Sequence, residues 1–85
     1  MGVDPGTRYE LLSRPGCHLC DEMAAVLNEV LPSFGLGYRV RNVDSDEESR
    51  RRFGDAIPVL LRDGVPVAKI RVDRRSLRRI VRRRR

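Results

Sequence analysis

The sequence predicts an α/β fold in which a four-stranded mixed sheet carries helices on both faces, in the order β-α-β-α-β-β-α. Two observations lead there. Apolar residues at helical spacing from Leu19 to Leu31 lie between two short β-rich runs, and a strand–helix–strand sequence closes as a right-handed crossover. Asp63-Gly64 then separates two further β-rich runs, a strong short-range hairpin signal. The 85 residues form a single domain whose core is adequate without being large.

Residues 1–7 are polar and turn-rich and read as a flexible lead-in. The folded domain is expected over 8–82, with a basic tail over 83–85. Tyr9-Glu10-Leu11-Leu12-Ser13 is a short apolar run closed by Arg14-Pro15-Gly16, which reads as a buried strand and a turn. Leu19, Met23, Val26, Leu27, Val30 and Leu31 mark one face of a helix over about 18–31, with Asp21 and Glu22 suited to its first turn. Pro32 and the glycines at 35 and 37 stop it.

Tyr38 to Val43 reads as the second strand. Ser45 and Glu48 form a capping-box pair for a short polar helix over about 46–53, anchored by Phe53 and stopped by Gly54. Ile57–Leu61 and Val65–Val72 are the arms of the hairpin. Pro66 removes a ladder donor, so the second arm belongs at a sheet edge. Asp73 can cap a last helix whose Leu77, Ile80 and Val81 share a face.

Charge is unevenly spread. Residues 1–73 hold ten basic and twelve acidic side chains, whereas 74–85 hold eight arginines and no acid. The formal +6 thus belongs to the C-terminal segment. An arginine run can attract nucleic acid, an anionic membrane surface or an acidic protein. It is equally the solvated face of an amphipathic helix, and no aromatic residue is interleaved to stack on bases. Nucleic acid is therefore not an expected partner. The longest apolar run, Ile57 to Leu61, is too short to cross a bilayer. The N-terminus has no signal-peptide pattern, and two cysteines make no disulfide framework, so a cytoplasmic location is expected.

Cys17-His18-Leu19-Cys20 falls between the first strand and the first helix. Two thiols three residues apart there can close a small disulfide ring, and the helix's free N–H groups and positive end favour a thiolate at Cys17. Cys17 is the expected nucleophile. Cys20, one turn inside, is the resolving thiol. Arg14 and His18 are cations close enough in sequence to tune the Cys17 thiolate. The bland alternatives are inert thiols, and a His18 that only fills the loop. Structural zinc wants four N or S ligands, more than these two cysteines and one histidine supply, so no metal is expected.

With that motif, Ala56-Ile57-Pro58-Val59 and the element order with its Asp-Gly hairpin, the chain resembles a small glutaredoxin-like member of the thioredoxin-fold superfamily over about residues 8–82. The resemblance implies a sheet order of 2-1-3-4 and a cis Pro58 facing the cysteine pair. It also implies that Ile57 and Pro58 shape the substrate groove. The implied activity is thiol–disulfide exchange on a protein or small-molecule disulfide, with a thiol or flavoprotein as reductant. No cofactor is required, and a monomer is expected. His-Leu stands where glutaredoxins commonly have Pro-Tyr. Ala68 to Asp73 lacks the glycine pair with which they approach glutathione, which argues against that thiol. A different class of function would be a redox-inactive binding module whose arginine-rich C-terminus contacts an acidic partner or nucleic acid.

Overall fold

The computed structural model describes residues 6–83. Of the expected lead-in only Gly6 and Thr7 are described, and Thr7 is buried; of the expected tail only Arg83 is described. The strands are β1 (Tyr9–Ser13), β2 (Arg39–Asn42), β3 (Val59–Arg62) and β4 (Val65–Lys69), and the helices are α1 (His18–Val30), α2 (Glu47–Phe53) and α3 (Arg74–Arg82). They form one sheet in the order β2-β1-β3-β4, with β1 parallel to β2 and antiparallel to β3, and β3 antiparallel to β4. The expected element order and strand order both hold.

Period-two alternation along the central strands sorts the core into two halves. Tyr9, Leu11 and Leu60 pack with Met23, Leu27 and Val30 of α1 and with Leu77, Ile80 and Val81 of α3. Leu12, Val59 and Leu61 face the other way and pack with Val43 and Phe53. Helices α1 and α3 therefore cover one face and α2 the other. Phe53 is the apolar anchor of α2, with Arg52 and Lys69 cations over its ring at 4.8 and 5.8 Å. Arg62, the last residue of β3, is buried and donates to the Ile80 carbonyl at 2.6 Å, one of the groups at the α3 C-terminus.

Several boundaries differ from expectation, each for a local reason. Helix α1 ends at Val30, but Pro32 does not break the chain away; a 3-10 turn over Leu31–Phe34 continues it, and Gly35 at φ +72° ends that turn. Tyr38 and Val43 are not in β2, and Val43 instead turns inward in a 3-10 turn over Val43–Ser45, where it is fully buried. The cap of α2 is not the Ser45–Glu48 box. Asp46 is the N-cap, accepting the Ser49 N–H at 2.8 Å, because Ser45 is already used in the preceding turn.

The hairpin turn is as the sequence signals. Asp63 and Gly64 both have positive φ, 50° and 84°, which is what the two-residue turn favoured by twisted strands requires. Strand β4 lies at the edge, and a register shift opposite Leu60/Leu61 falls at Pro66–Val67, where a missing donor does least harm. The third and fourth strands are shorter than expected. Ile57 and Pro58 precede β3, and β4 stops at Lys69 because Ile70 adopts φ +69°.

Candidate active site

The turn Arg14-Pro15-Gly16-Cys17 closes with the Cys17 N–H donating to the Arg14 carbonyl at 3.2 Å. Pro15 suits its second position and Gly16, at φ +78°, its third, as in a type II turn. That turn delivers Cys17 to the N-cap of α1 in an extended conformation (φ −88°, ψ 106°). Its Sγ accepts the Cys20 N–H at 3.1 Å, so sulfur takes the position that a serine or aspartate oxygen usually fills. Cys17 and Cys20 form a disulfide with Cα atoms 5.2 Å apart. Cys17 is half-buried and Cys20 only 3% exposed. Cys17 is thus the more accessible of the two sulfur-bearing residues, and Cys20 lies closed off behind it.

Antiparallel register brings Ile57 and Pro58 to the same end of the sheet. Leu12 pairs with Val59, so the chain leaving β1 towards Cys17 runs beside the chain entering β3 through Ile57 and Pro58. The Ile57–Pro58 bond is cis, as the resemblance implies. Pro58 is buried, and its carbonyl accepts the Ile70 N–H at 2.7 Å. Among the described residues no hydrogen bond occupies the Ile57 backbone N–H or carbonyl, which leaves both for an extended chain to pair with.

The two cations named from sequence are engaged elsewhere. Arg14 makes a two-point contact with Asp44, Nε to Oδ2 at 2.8 Å and NH2 to Oδ1 at 2.9 Å, and its NH1 donates to the Gly54 carbonyl at 3.4 Å. The hydrogen bond and charge of each partner raise the Arg14 pKa and hold the Asp44 carboxyl below its ordinary range. His18 is largely solvent-exposed, with Nε2 3.0 Å from Glu22 Oε2 one turn along the helix. Neither side chain hydrogen-bonds to a cysteine sulfur.

Sequence reasoning missed four residues at this end of the sheet. Asp44 anchors Arg14, and Gly54 supplies the carbonyl beside it. Ile70 carries the Pro58 contact, and the next N–H, of Arg71, turns back to the Lys69 carbonyl at 2.7 Å, so Ile70 is the centre of a three-residue γ-turn with positive φ. The Arg71 guanidinium reaches Glu22 Oε1 at 3.8 Å, crossing the mouth of a groove between α1 and the β4–α3 connection. No signal marks Ile70 in the sequence, since β-branched residues rarely adopt positive φ. Among the described residues no three His, Cys, Asp or Glu side chains gather as a metal-holding group, and no helix is long and apolar enough to cross a membrane.

Known proteins resemble this chain in sequence and in fold. The profile of the Glutaredoxin-like domain (DUF836) matches residues 8–82. Uncharacterized proteins of Mycobacterium bovis and Mycobacterium tuberculosis are each 36% identical over 78 residues, covering 84% of this chain and 78% of the relative. The solution NMR structure of protein Ne2328 from Nitrosomonas europaea superposes with a TM-score of 0.79 at 26% identity, over 95% of this chain and 96% of that one. The X-ray structure of protein XcR50 from X. campestris superposes with a TM-score of 0.71 at 24% identity, over 85% and 92%, a likeness of fold. The architecture is the thioredoxin-like fold, and the Cys17–Cys20 pair fits a thiol-redox role. By the extent of the domain match and by its relatives, the chain belongs to the glutaredoxin-like family.

Proposed function

We propose that the protein is a thiol–disulfide oxidoreductase. The observation that carries this is the Cys17–Cys20 disulfide at the head of α1, half-buried at Cys17 and closed off at Cys20. In the reduced protein, the Cys20 N–H and the positive helix end favour the Cys17 thiolate. That thiolate attacks one sulfur of a substrate disulfide. The substrate S–S bond breaks, a mixed disulfide forms on Cys17, and the departing thiolate takes a proton from solvent. Cys20, deprotonated in turn, attacks Cys17 Sγ, releases the second substrate thiol and leaves the Cys17–Cys20 disulfide. Two electrons have passed to the substrate, and a thiol or flavoprotein reductant returns the protein to the dithiol.

Ile57 and Pro58 are the proposed substrate-binding residues, because they lie at the same end of the sheet with a free Ile57 backbone. Arg14 is paired with Asp44 and His18 with Glu22, so the positive charge either could present to the thiolate is largely offset. The competing reading, a redox-inactive module, draws on Arg75, Arg78, Arg79 and Arg82 of α3 and on Arg83 at its C-cap, which lie together.

Trapping separates the two. A Cys20→Ser variant cannot resolve the mixed disulfide and should hold disulfide substrates on Cys17. A redox titration of the wild type should show one two-electron step between roughly −120 and −270 mV. An inert Cys17, with salt-dependent association that survives Cys17→Ser, would establish the module instead.

A further inference from the structure

Beside the disulfide, a groove of about 500 Å³ runs between α1 and the β4–α3 connection. Leu19, which separates the two cysteines, stands at one end. Met23 forms buried floor, Val26 and Val67 form the walls, and Ile70 stands on the rim, 38% exposed. Several of the polar groups around the groove are already paired. The Ile70 N–H goes to Pro58 and the Arg71 N–H to Lys69. Arg71 leans on Glu22 at 3.8 Å, and Asp73 accepts the Ser76 N–H at 2.7 Å. Between these pairs Leu19, Met23, Val26, Val67 and Ile70 offer a ligand apolar contact.

We propose that this groove makes the protein selective for protein disulfides in which the attacked cysteine neighbours a large apolar residue, whose side chain enters between Leu19 and Ile70. The inference rests on the oxidoreductase activity proposed above and adds its substrate class. Ile70 is the specificity-determining residue. Its β-branched side chain is held on the rim at φ +69°, a conformation that glycine would adopt without strain. The charged residues lining the groove are Glu22, Arg71 and Asp73, two acids to one base, which disfavours a small anionic disulfide such as glutathione disulfide. The chemistry is the exchange already described: the Cys17 thiolate attacks the peptide cysteine's sulfur, the substrate S–S bond breaks, and the dithiol supplies both electrons.

The test is single-turnover oxidation of the dithiol protein, freed of reductant, by three disulfides. Two are peptides identical except for leucine or glycine beside the cysteine; the third is glutathione disulfide. The wild type should react about tenfold faster with the leucine peptide than with either other, the scale set by a few methylenes in an apolar pocket. In Ile70→Gly the leucine-to-glycine ratio should fall close to one. Val26→Ser, on the opposite wall, should lower it too, which keeps the test independent of one variant's folding. A wild-type ratio near one, a faster reaction with glutathione disulfide, or a ratio unchanged in both variants overturns the groove's role. Failure of the dithiol to react with all three overturns the oxidoreductase assignment as well, so the two failures are distinct.

Discussion

The guanidinium of Arg14 and the carboxylate of Asp44 lie side by side, joined at 2.8 and 2.9 Å, and tie the turn that presents Cys17 to the loop between β2 and α2. The Arg14 carbonyl accepts the Cys17 N–H, so one residue anchors both ends of that connection. A neutralised pair of this kind positions Cys17 and contributes little field of its own. The double variant Arg14→Ala/Asp44→Ala should lose a few degrees of Tm. Its rate of Cys17 alkylation at neutral pH should stay within roughly twofold of wild type, because no net charge leaves the site. A much larger change in alkylation would mean that Arg14 acts on the thiolate directly.

Acid should unfold this protein through a specific set of carboxylates. Asp46 and Asp73 are held low by the backbone N–H groups they cap, Asp44 by Arg14, and Glu29 by Arg74. Each therefore binds its proton more weakly folded than unfolded, so its stabilisation is complete above the ordinary carboxylate pKa of about 4 and is lost as pH falls through the lowered value. The urea midpoint should be level between about pH 8 and 5 and fall below about 4. Asp46→Asn/Asp73→Asn should make that fall shallower. An unaltered acid limb would show that the caps do not drive it.

Ile70→Gly should stabilise the fold. The γ-turn at Ile70 puts a β-branched residue at φ +69°, a strain of about 1–3 kcal/mol, and the side chain is 38% exposed, so its lost burial offsets only part of that. A net gain of about 1 kcal/mol would raise Tm by roughly 4–8 °C for a domain of this size. Thermal unfolding followed by circular dichroism measures it. A lower Tm would show that the side chain's packing outweighs the backbone strain.

The parts of this protein that were legible in the sequence are those fixed by local pattern. The α1 stripe, the Asp63-Gly64 turn, the Asp73 cap and the position of the cysteines each follow from neighbours within a few residues. The edge placement of β4 followed from Pro66 alone. What escaped depends on contacts made across the fold. Nothing near Asp44 says that its carboxylate will meet Arg14, thirty residues away. Ser45 and Glu48 had the right spacing for a cap, but the 3-10 turn that buries Val43 used Ser45 first and left Asp46 to do it. Ile70 looked like an ordinary strand residue because the bond that ends β4 goes to Pro58, on another segment.

Gly54 is the most constrained small residue near the site. It ends α2 with helical dihedrals, its N–H bonds the Arg50 carbonyl at 2.9 Å, and its own carbonyl receives Arg14. A methyl group added there would stand 2.5 Å from the Arg50 carbonyl oxygen, a backbone atom that cannot rotate away. The α2 terminus must then shift, and with it the anchor of the Cys17 turn. Overpacking of this kind costs about 1–3 kcal/mol, so Gly54→Ala should lower the urea midpoint by that equivalent. The shift should also alter the rate at which Cys17 is alkylated, since the displaced carbonyl is the one Arg14 rests on. A variant with wild-type stability would mean that the turn relaxes freely and that Gly54 plays no part in holding the nucleophile.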